Sequence, residues 1–510
     1  MNIKVKRLIK ISLLAVAALV LISLGALAWL ITSGLRTPVR VPAPDYWPTV
    51  GWRASTPEEQ GFPSEILAKG LQTLQEKQVD IDSLLIIRNG YIVVDANFDP
   101  YDGTFPHDLA SVTKSIMTTL IAIAAEQGKL DLDKPAVSYF PDWTIANLDD
   151  RKSRLTVRHL ASMRNGMESG CFDGDEPTLQ KMRANPDWVQ AALDRPMVAE
   201  PGREFCYDSP GMHLLSAILQ EATGMTALDF ARQYLFEPLG IQDVIWETDP
   251  QGYSRGWGDL HLLPEDLAKI GYLWLQRGNW DGQQIVSEAW VLDSVKVHSK
   301  FIEPDFGYGY GWWVTIGDYQ ASGRGGQRAR VIASVNTLVV ITGAYYDYAE
   351  IEAWLLPILL QLPIRDTRPA NPQGLAALET ALTTVGQGAA SWTAAYTPET
   401  AAQVSDNTYH CKGNPAGIET LRLEFDSSAQ AKLFLKMGGT DRVLPIGLDG
   451  SYRLASDGTG SRGYWNDART FNFEAFDIGL LSRQVLFDGD SLQISLPEAG
   501  LTVSCQVQNP

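Results

Sequence analysis

The chain has 510 residues, 45% of them hydrophobic and 20% charged, with 60 acidic side chains against 42 basic ones and a formal net charge of −18. That composition excludes a disordered polymer and a small disulfide-stapled scaffold, and the length predicts more than one folded unit. The acidic balance argues against nucleic acid as a partner, because neutralising phosphates takes clustered Lys and Arg, and the lack of a fixed-period repeat removes solenoids and propellers.

At the N-terminus Lys4, Lys6, Arg7 and Lys10 precede an uncharged run from Ile11 to Ile31, long enough at helical rise to cross a bilayer. Residues 1–35 read as an uncleaved membrane anchor, a single N-terminal transmembrane helix. A signal peptide cut after Ala26-Leu27-Ala28, leaving a secreted protein, is the alternative. On either reading the basic flank stays in the cytoplasm and everything after Thr32 lies on the periplasmic or extracellular side. Residues 36–57 form a linker, in which the four prolines between Arg36 and Pro48 predict a stiff spacer holding the following part off the surface.

From Ser83 to Ala96 two apolar runs meet at Asn89-Gly90, the dipeptide suited to a tight hairpin turn. A helix is expected next, from about Leu109 to Gln127, with Gly128 as its stop. Its first turn contains Ser111-Val112-Thr113-Lys114. Three residues are about one helical turn, so hydroxyl and amine project to the same side. A serine hydroxyl is a poor nucleophile until a base takes its proton, and a lysine can do so only in its neutral form. The positive end of the helix dipole disfavours the ammonium and would stabilise a nearby oxyanion. Read alone, the motif is equally a capped surface helix with an exposed lysine.

Residues 155–300 read as mostly helical segments broken by Gly and Pro, including Gly211–Glu221 and Leu228–Leu235. Within this stretch, Tyr207-Asp208-Ser209 follows the Pro201-Gly202 turn. A phenol near cations can relay a proton, and a hydroxyl two positions later can face the same cavity on an extended segment; the plain alternative is a structural tyrosine. Strands are expected at Tyr310–Ile316, Arg328–Val335 and Leu338–Ala344. Between the first two lies Ser322-Gly323-Arg324-Gly325-Gly326-Gln327, where a glycine-rich edge lets a substrate backbone approach and Arg324 could hold a carboxylate. As a lone feature it is an ordinary hairpin turn. Trp257, Trp312 and Trp313 are candidates for the walls of a pocket, with core packing the competing role of each.

Strands at both ends of residues 58–364 with helices between them predict an α+β domain, its sheet completed by sequence-distant parts and covered by a helix over Ile351–Leu362. A connector with a helix around Leu375–Leu382 occupies 365–388. Residues 389–510 alternate as half-buried strands do, for instance Leu492, Ile494 and Leu496 against Ser491, Gln493 and Ser495, so a small antiparallel sandwich or barrel is expected there. The four cysteines form no Cys-x-x-Cys pair, which makes a zinc cage improbable. Their even number and the domain division pair Cys171 with Cys206 and Cys411 with Cys505 as disulfides, free buried thiols being the alternative. The six histidines are scattered, and neither His-Glu-x-x-His, a Gly-x-Ser-x-Gly elbow, a P-loop nor a strand-linked dinucleotide fingerprint occurs, so no metal or cofactor is expected.

In order and spacing, these elements resemble the serine β-lactamase and penicillin-binding-protein superfamily, in its class C β-lactamase-like branch. The resemblance extends over Leu109–Ser115, Leu155-Thr156-Val157-Arg158-His159-Leu160, Phe236-Glu237-Pro238-Leu239-Gly240-Ile241 and Gly307-Tyr308-Gly309-Tyr310-Gly311-Trp312-Trp313, together roughly residues 58–362. It implies a helical lobe packed on an antiparallel sheet with the site in the groove between them. It also implies Ser111 as acylated nucleophile, Lys114 as its base and Tyr207 as proton shuttle, with Ser209 at a position often held by Asn. Arg324-Gly325-Gly326 would take the place of Lys-Thr-Gly or His-x-Gly, and the backbone N–H groups of Ser111 and Gln327 would form the oxyanion hole. Arg in that third motif cannot hand on protons, which sets the chain apart from efficient lactamases and nearer to the 6-aminohexanoate-dimer hydrolase and esterase relatives. The expected function is a serine hydrolase acting on a small-molecule or peptide-like amide or ester, whether as amidase, esterase or D-amino-acid peptidase. A catalytically silent sensor or scaffold of the same fold is the alternative, and the oligomeric state is left open.

Overall fold

The computed structural model describes residues 40–171, 176–300, 307–362, 366–387, 396–477, 479–497 and 500–507. The anchor expected at Ile11–Ile31 lies outside them; among the described residues no helix is long and apolar enough to cross a membrane.

Residues Ile81–Arg88 and Tyr91–Asn97 form the expected hairpin. Asn89 and Gly90 have φ of 52° and 86°, the paired positive values that a two-residue primed turn demands. This hairpin lies near one edge of a nine-stranded sheet, where Ile81–Arg88 pairs antiparallel with Thr337–Gly343 in the register Val340 opposite Leu85. Both partners are continuous apolar runs because both faces are covered. Leu85, Ile87, Leu338 and Val340 point into the helical lobe, while Leu84, Ile86, Val339 and Ile341 meet the helices Ser64–Glu76, Ala349–Leu359 and Pro372–Val385 on the other side. The helix expected in the connector is thereby part of this core.

Two expected strands are interrupted. Gly311, with φ of 78°, leaves the ladder where a Cβ would stand 2.4 Å from Thr118 Oγ1 and 2.9 Å from the carbonyl of Lys114, so only Trp313–Val314 pairs in that stretch. Arg328–Ile332 is a strand and Ala333–Val335 turns as a 3₁₀ helix. The described part of the linker packs on the domain instead of standing off from it. Arg53–Ala54 adds a parallel edge strand, and Trp47 and Trp52 lie against the ring of Tyr272, because large apolar rings gain by leaving water.

The all-β part is a barrel. Its strands form one sheet that closes on itself through a single parallel bridge between Gly447 and Arg462, which abolishes the exposed edge of an open sheet. The barrel docks beside the strand entering the Val112–Glu126 helix: Phe476 and Tyr452 pack on Tyr101 and Phe105, and a Cβ on Gly458 would touch the His261 ring at 2.5 Å.

Candidate active site

Ser111 sits at a junction that the local sequence makes rigid. His107–Asp108 pairs with His261–Leu262 in a short three-stranded sheet, and the amide of Leu109 donates to the carbonyl of Leu260 at 2.9 Å. Ala110 then adopts φ of 46°, a left-handed conformation costing a non-glycine residue about 1–2 kcal/mol. Its amide is caught by Asp108 Oδ1 at 2.8 Å. The helix therefore starts at Val112, with Ser111 as its N-cap residue, three positions later than the composition implied. From Val112 to Ala124 every side chain of this helix is buried, so the first turn is fixed between sheet and lobe.

Lys114 is only 1% exposed. Its Nζ lies 2.8 Å from Ser111 Oγ and donates to the carbonyl of Trp257 at 2.9 Å, so both of these contacts are to uncharged oxygens. The Nζ also stands 4.8 Å from the centroid of the Tyr207 ring. Hydroxyl, amine and phenol ring, from the first two motifs, thus converge. Trp257 contributes through its backbone, a role that no side-chain pattern signals. Its ring packs on buried His213, whose bond to Asp249 spans 3.0 Å; burial pushes this imidazole below its ordinary value despite the carboxylate.

Tyr207 is half-buried. Its ring stacks on Trp313 at 6.0 Å with 14° between planes, and Tyr308 meets it edge-on at 6.4 Å. Burial pushes the Tyr308 hydroxyl well above the ordinary phenol value. Trp313 is therefore a site wall, whereas Trp312 is fully buried and stacks on Trp274. The tyrosine loop is tied on both sides. Cys206 is bonded to Cys171, and the carbonyl of Tyr207 accepts a bond from Ser169 Oγ at 3.0 Å. Asp208 accepts from Arg195 through both carboxylate oxygens and from Asn165 Nδ2 at 2.7 Å. Arg195 and Asn165 were not legible in the sequence, because neither belongs to a motif and both act across long separations. Ser209 opens the Ser209–Thr223 helix; its buried hydroxyl has no hydrogen-bond partner among the described residues.

The glycine-rich turn lies directly against Ser111. A Cβ placed on Gly323 would stand 2.5 Å from the carbonyl of Leu109 and 3.0 Å from the amide nitrogen of Ser111. Gly325 and Gly326 have φ of 81° and 100°, and a side chain at Gly326 would collide with the ring of Tyr346, so this bend admits glycine alone. Gln327 turns its amide away into the sheet, donating to the carbonyl of Gly343 at 2.6 Å and accepting from its N–H at 3.2 Å. Arg324 is exposed, and its Nη1 donates to the Tyr345 hydroxyl at 3.2 Å. The second disulfide, Cys411–Cys505, staples neighbouring barrel strands, and such bonds persist in an oxidising extracellular or periplasmic compartment. Among the described residues no cluster of His, Cys, Asp or Glu is arranged to hold a metal ion.

Residues 69–349 match the family named Beta-lactamase. The 6-aminohexanoate-dimer hydrolase of Paenarthrobacter ureafaciens is 23% identical over 321 residues, 58% of this chain and 80% of that protein. The lovastatin esterase of Penicillium rubens is 28% identical over 188 residues, 32% of this chain and 45% of that protein. Among solved structures, a putative 6-aminohexanoate-dimer hydrolase from Bacillus anthracis superposes with a TM-score of 0.51 at 19% identity, covering 64% of this chain and 88% of that one.

Proposed function

The chain belongs to the β-lactamase family, and on that premise we propose that it is a serine hydrolase cleaving an amide or ester bond through a covalent acyl-serine intermediate. The observation that carries this reading is the 2.8 Å contact between Lys114 Nζ and Ser111 Oγ beside the Tyr207 ring. In its neutral form Lys114 takes the hydroxyl proton as Ser111 Oγ bonds to the substrate carbonyl carbon. The backbone N–H groups of Ser111 and Gln327 receive the developing oxyanion. The tetrahedral species collapses, breaking the C–N or C–O bond, and the leaving amine or alcohol departs with a proton relayed from Lys114 through Tyr207. Water then attacks the acyl-ester, giving its proton back along the same path, and free acid leaves Ser111 restored.

The substrate is an open-chain amide or ester in preference to a β-lactam. Arg324 supplies a permanent charge at the edge of the turn, suited to a substrate carboxylate, where a Lys or His would also exchange protons. The amide- and ester-cleaving relatives support the same preference. We place the enzyme on the periplasmic or extracellular side of a membrane, tethered by the apolar run Ile11–Ile31. Assaying the purified protein on nitrocefin, p-nitrophenyl acetate, a linear aminohexanoate amide and a D-Ala-D-Ala peptide tests the reading. Turnover of the linear amide or the acetate above nitrocefin is expected, and turnover of none of the four would contradict it.

A further inference from the structure

Beyond the strand Thr337–Gly343 the chain bends back onto the glycine-rich turn. Tyr345 takes a left-handed φ of 65°, disfavoured for a residue with a side chain, and its N–H donates to the Gly325 carbonyl at 2.8 Å. The bend brings Tyr346 against Gly326. Its ring fills a slot between two glycines: a Cβ on Gly326 would collide with it, and one on Gly343 would stand 2.8 Å from it. Its hydroxyl donates to the Gly326 carbonyl at 2.7 Å. Burial pushes this phenol above its ordinary value, with Arg328 offsetting part of the shift, so the group remains a donor at neutral pH.

The Gly326 carbonyl and the Gln327 N–H are the two ends of one planar trans peptide unit. They point in opposite directions, so whatever holds the carbonyl also aims the N–H. A bond accepted by the oxygen polarises the unit as well and strengthens its N–H as a donor. The unit is otherwise anchored only through its flanks. On one side the Gln327 amide spans both polar groups of Gly343, and the Gln327 carbonyl accepts from Gly323 at 2.8 Å, the residue that packs on the Ser111 amide. On the other side stand Gly325 and Gly326, where the lack of a Cβ makes rotation of the peptide plane cheap. The partner of the Gly326 carbonyl therefore decides where the Gln327 N–H points.

We propose that Tyr346 is a positioning residue of the oxyanion hole, its hydroxyl fixing the peptide plane whose N–H meets the developing charge. This rests on the hydrolase reading, in which the Ser111 and Gln327 N–H groups receive the oxyanion. The test compares the full wild-type chain with Tyr346→Phe, which keeps the ring in its slot and removes the hydroxyl, and with Tyr348→Phe, which removes a nearby hydroxyl bonded to Arg330 Nη1 at 3.0 Å. Each is assayed on p-nitrophenyl acetate and titrated with methylboronic acid. In the boronate adduct Ser111 Oγ is bonded to boron, its proton has passed to Lys114, and one oxygen on boron occupies the oxyanion position. In Tyr346→Phe, kcat per folded molecule and boronate affinity should fall together by about tenfold, part of the roughly 10²–10³ that a whole oxyanion donor supplies. KM and the shape of the pH profile should stay as in wild type, and Tyr348→Phe should match wild type throughout. Equal boronate affinity in wild type and Tyr346→Phe, or a loss of kcat without a loss of boronate affinity, would overturn the proposal while leaving the hydrolase reading in place. A wild-type chain that forms no boronate adduct at Ser111 would overturn the hydrolase reading and the proposal with it.

Discussion

Arg195 holds Asp208 by two hydrogen bonds, Nη1 to Oδ1 at 2.7 Å and Nη2 to Oδ2 at 3.0 Å, where both side chains are buried. Asp208 lies between Tyr207 and Ser209, so this ion pair positions the phenol without touching it. Removing one partner of a buried pair strands the other charge and costs about 3–5 kcal/mol. Asp208→Asn should lower stability by that order in urea unfolding. Turnover should fall further than the folded fraction does, because Tyr207 loses its anchor. Unchanged turnover per folded molecule would show that the pair is structural only.

Gly323 has φ of −132°, a backbone conformation open to any residue, so its identity is set by space alone. In Gly323→Ala the new methyl meets the Leu109 carbonyl and the Ser111 amide, and overpacking of this kind costs about 1–3 kcal/mol. The neighbour that must yield is the nucleophile's own turn. A fall in the acylation rate constant at least tenfold is expected in stopped-flow measurements, with a modest drop in melting temperature.

Among the described residues no cysteine is free, so alkylation should label no thiols before reduction and four after it. The Cys171–Cys206 bond closes a loop with a sequence separation of 35, worth roughly 3–4 kcal/mol by loop-closure entropy. A Cys171→Ser/Cys206→Ser protein should lose turnover as the Tyr207 loop loosens. The Cys411→Ser/Cys505→Ser protein should keep turnover and lose stability in the barrel alone, which differential hydrogen exchange would resolve.

His107 is buried, with Nε2 2.8 Å from Asp82 Oδ2 and the ring of Phe476 packed against it. Burial pushes the imidazole down, but the Asp82 bond and charge, with the Asp108 carbonyl, outweigh it and hold the group above its ordinary value. A raised histidine binds its proton more tightly folded than unfolded. Its contribution is therefore complete below about pH 6.5 and is lost as pH rises through the higher folded-state value. The melting-temperature gap between wild type and Asp82→Asn should be widest in mild acid and narrow towards alkaline pH. A gap that widens with pH would contradict the assignment.

Much of this architecture was legible because local and tertiary preferences agree. Asn89-Gly90 supplies both positive φ values of its turn, and the double-sided burial of Ile81–Arg88 follows from its unbroken apolar run. The Ser-x-x-Lys spacing likewise fixes Lys114 beside Ser111 whatever surrounds it. Other features depend on distant partners. The helix start shifted to Val112 because the Leu260 carbonyl holds Leu109 in a ladder. Trp257 reaches Lys114 through a backbone oxygen, which any residue type would offer. Arg195, Asn165 and Gly323 gain their roles only once the chain has folded around Asp208 and Ser111. Whether the last part was a sandwich or a barrel depended on the single closure at Gly447 and Arg462, beyond the reach of alternation.

The most direct test of the central claim is covalent labelling with a fluorophosphonate probe, mapped by peptide mass spectrometry on wild type, Ser111→Ala and Lys114→Met. The last keeps the side-chain volume while removing the amine. One adduct on Ser111 in wild type, none in Ser111→Ala, and labelling slowed by roughly 10²–10⁴-fold in Lys114→Met is the expected result. An adduct on another residue, or equal labelling of all three proteins, would contradict Ser111 as a nucleophile activated by Lys114.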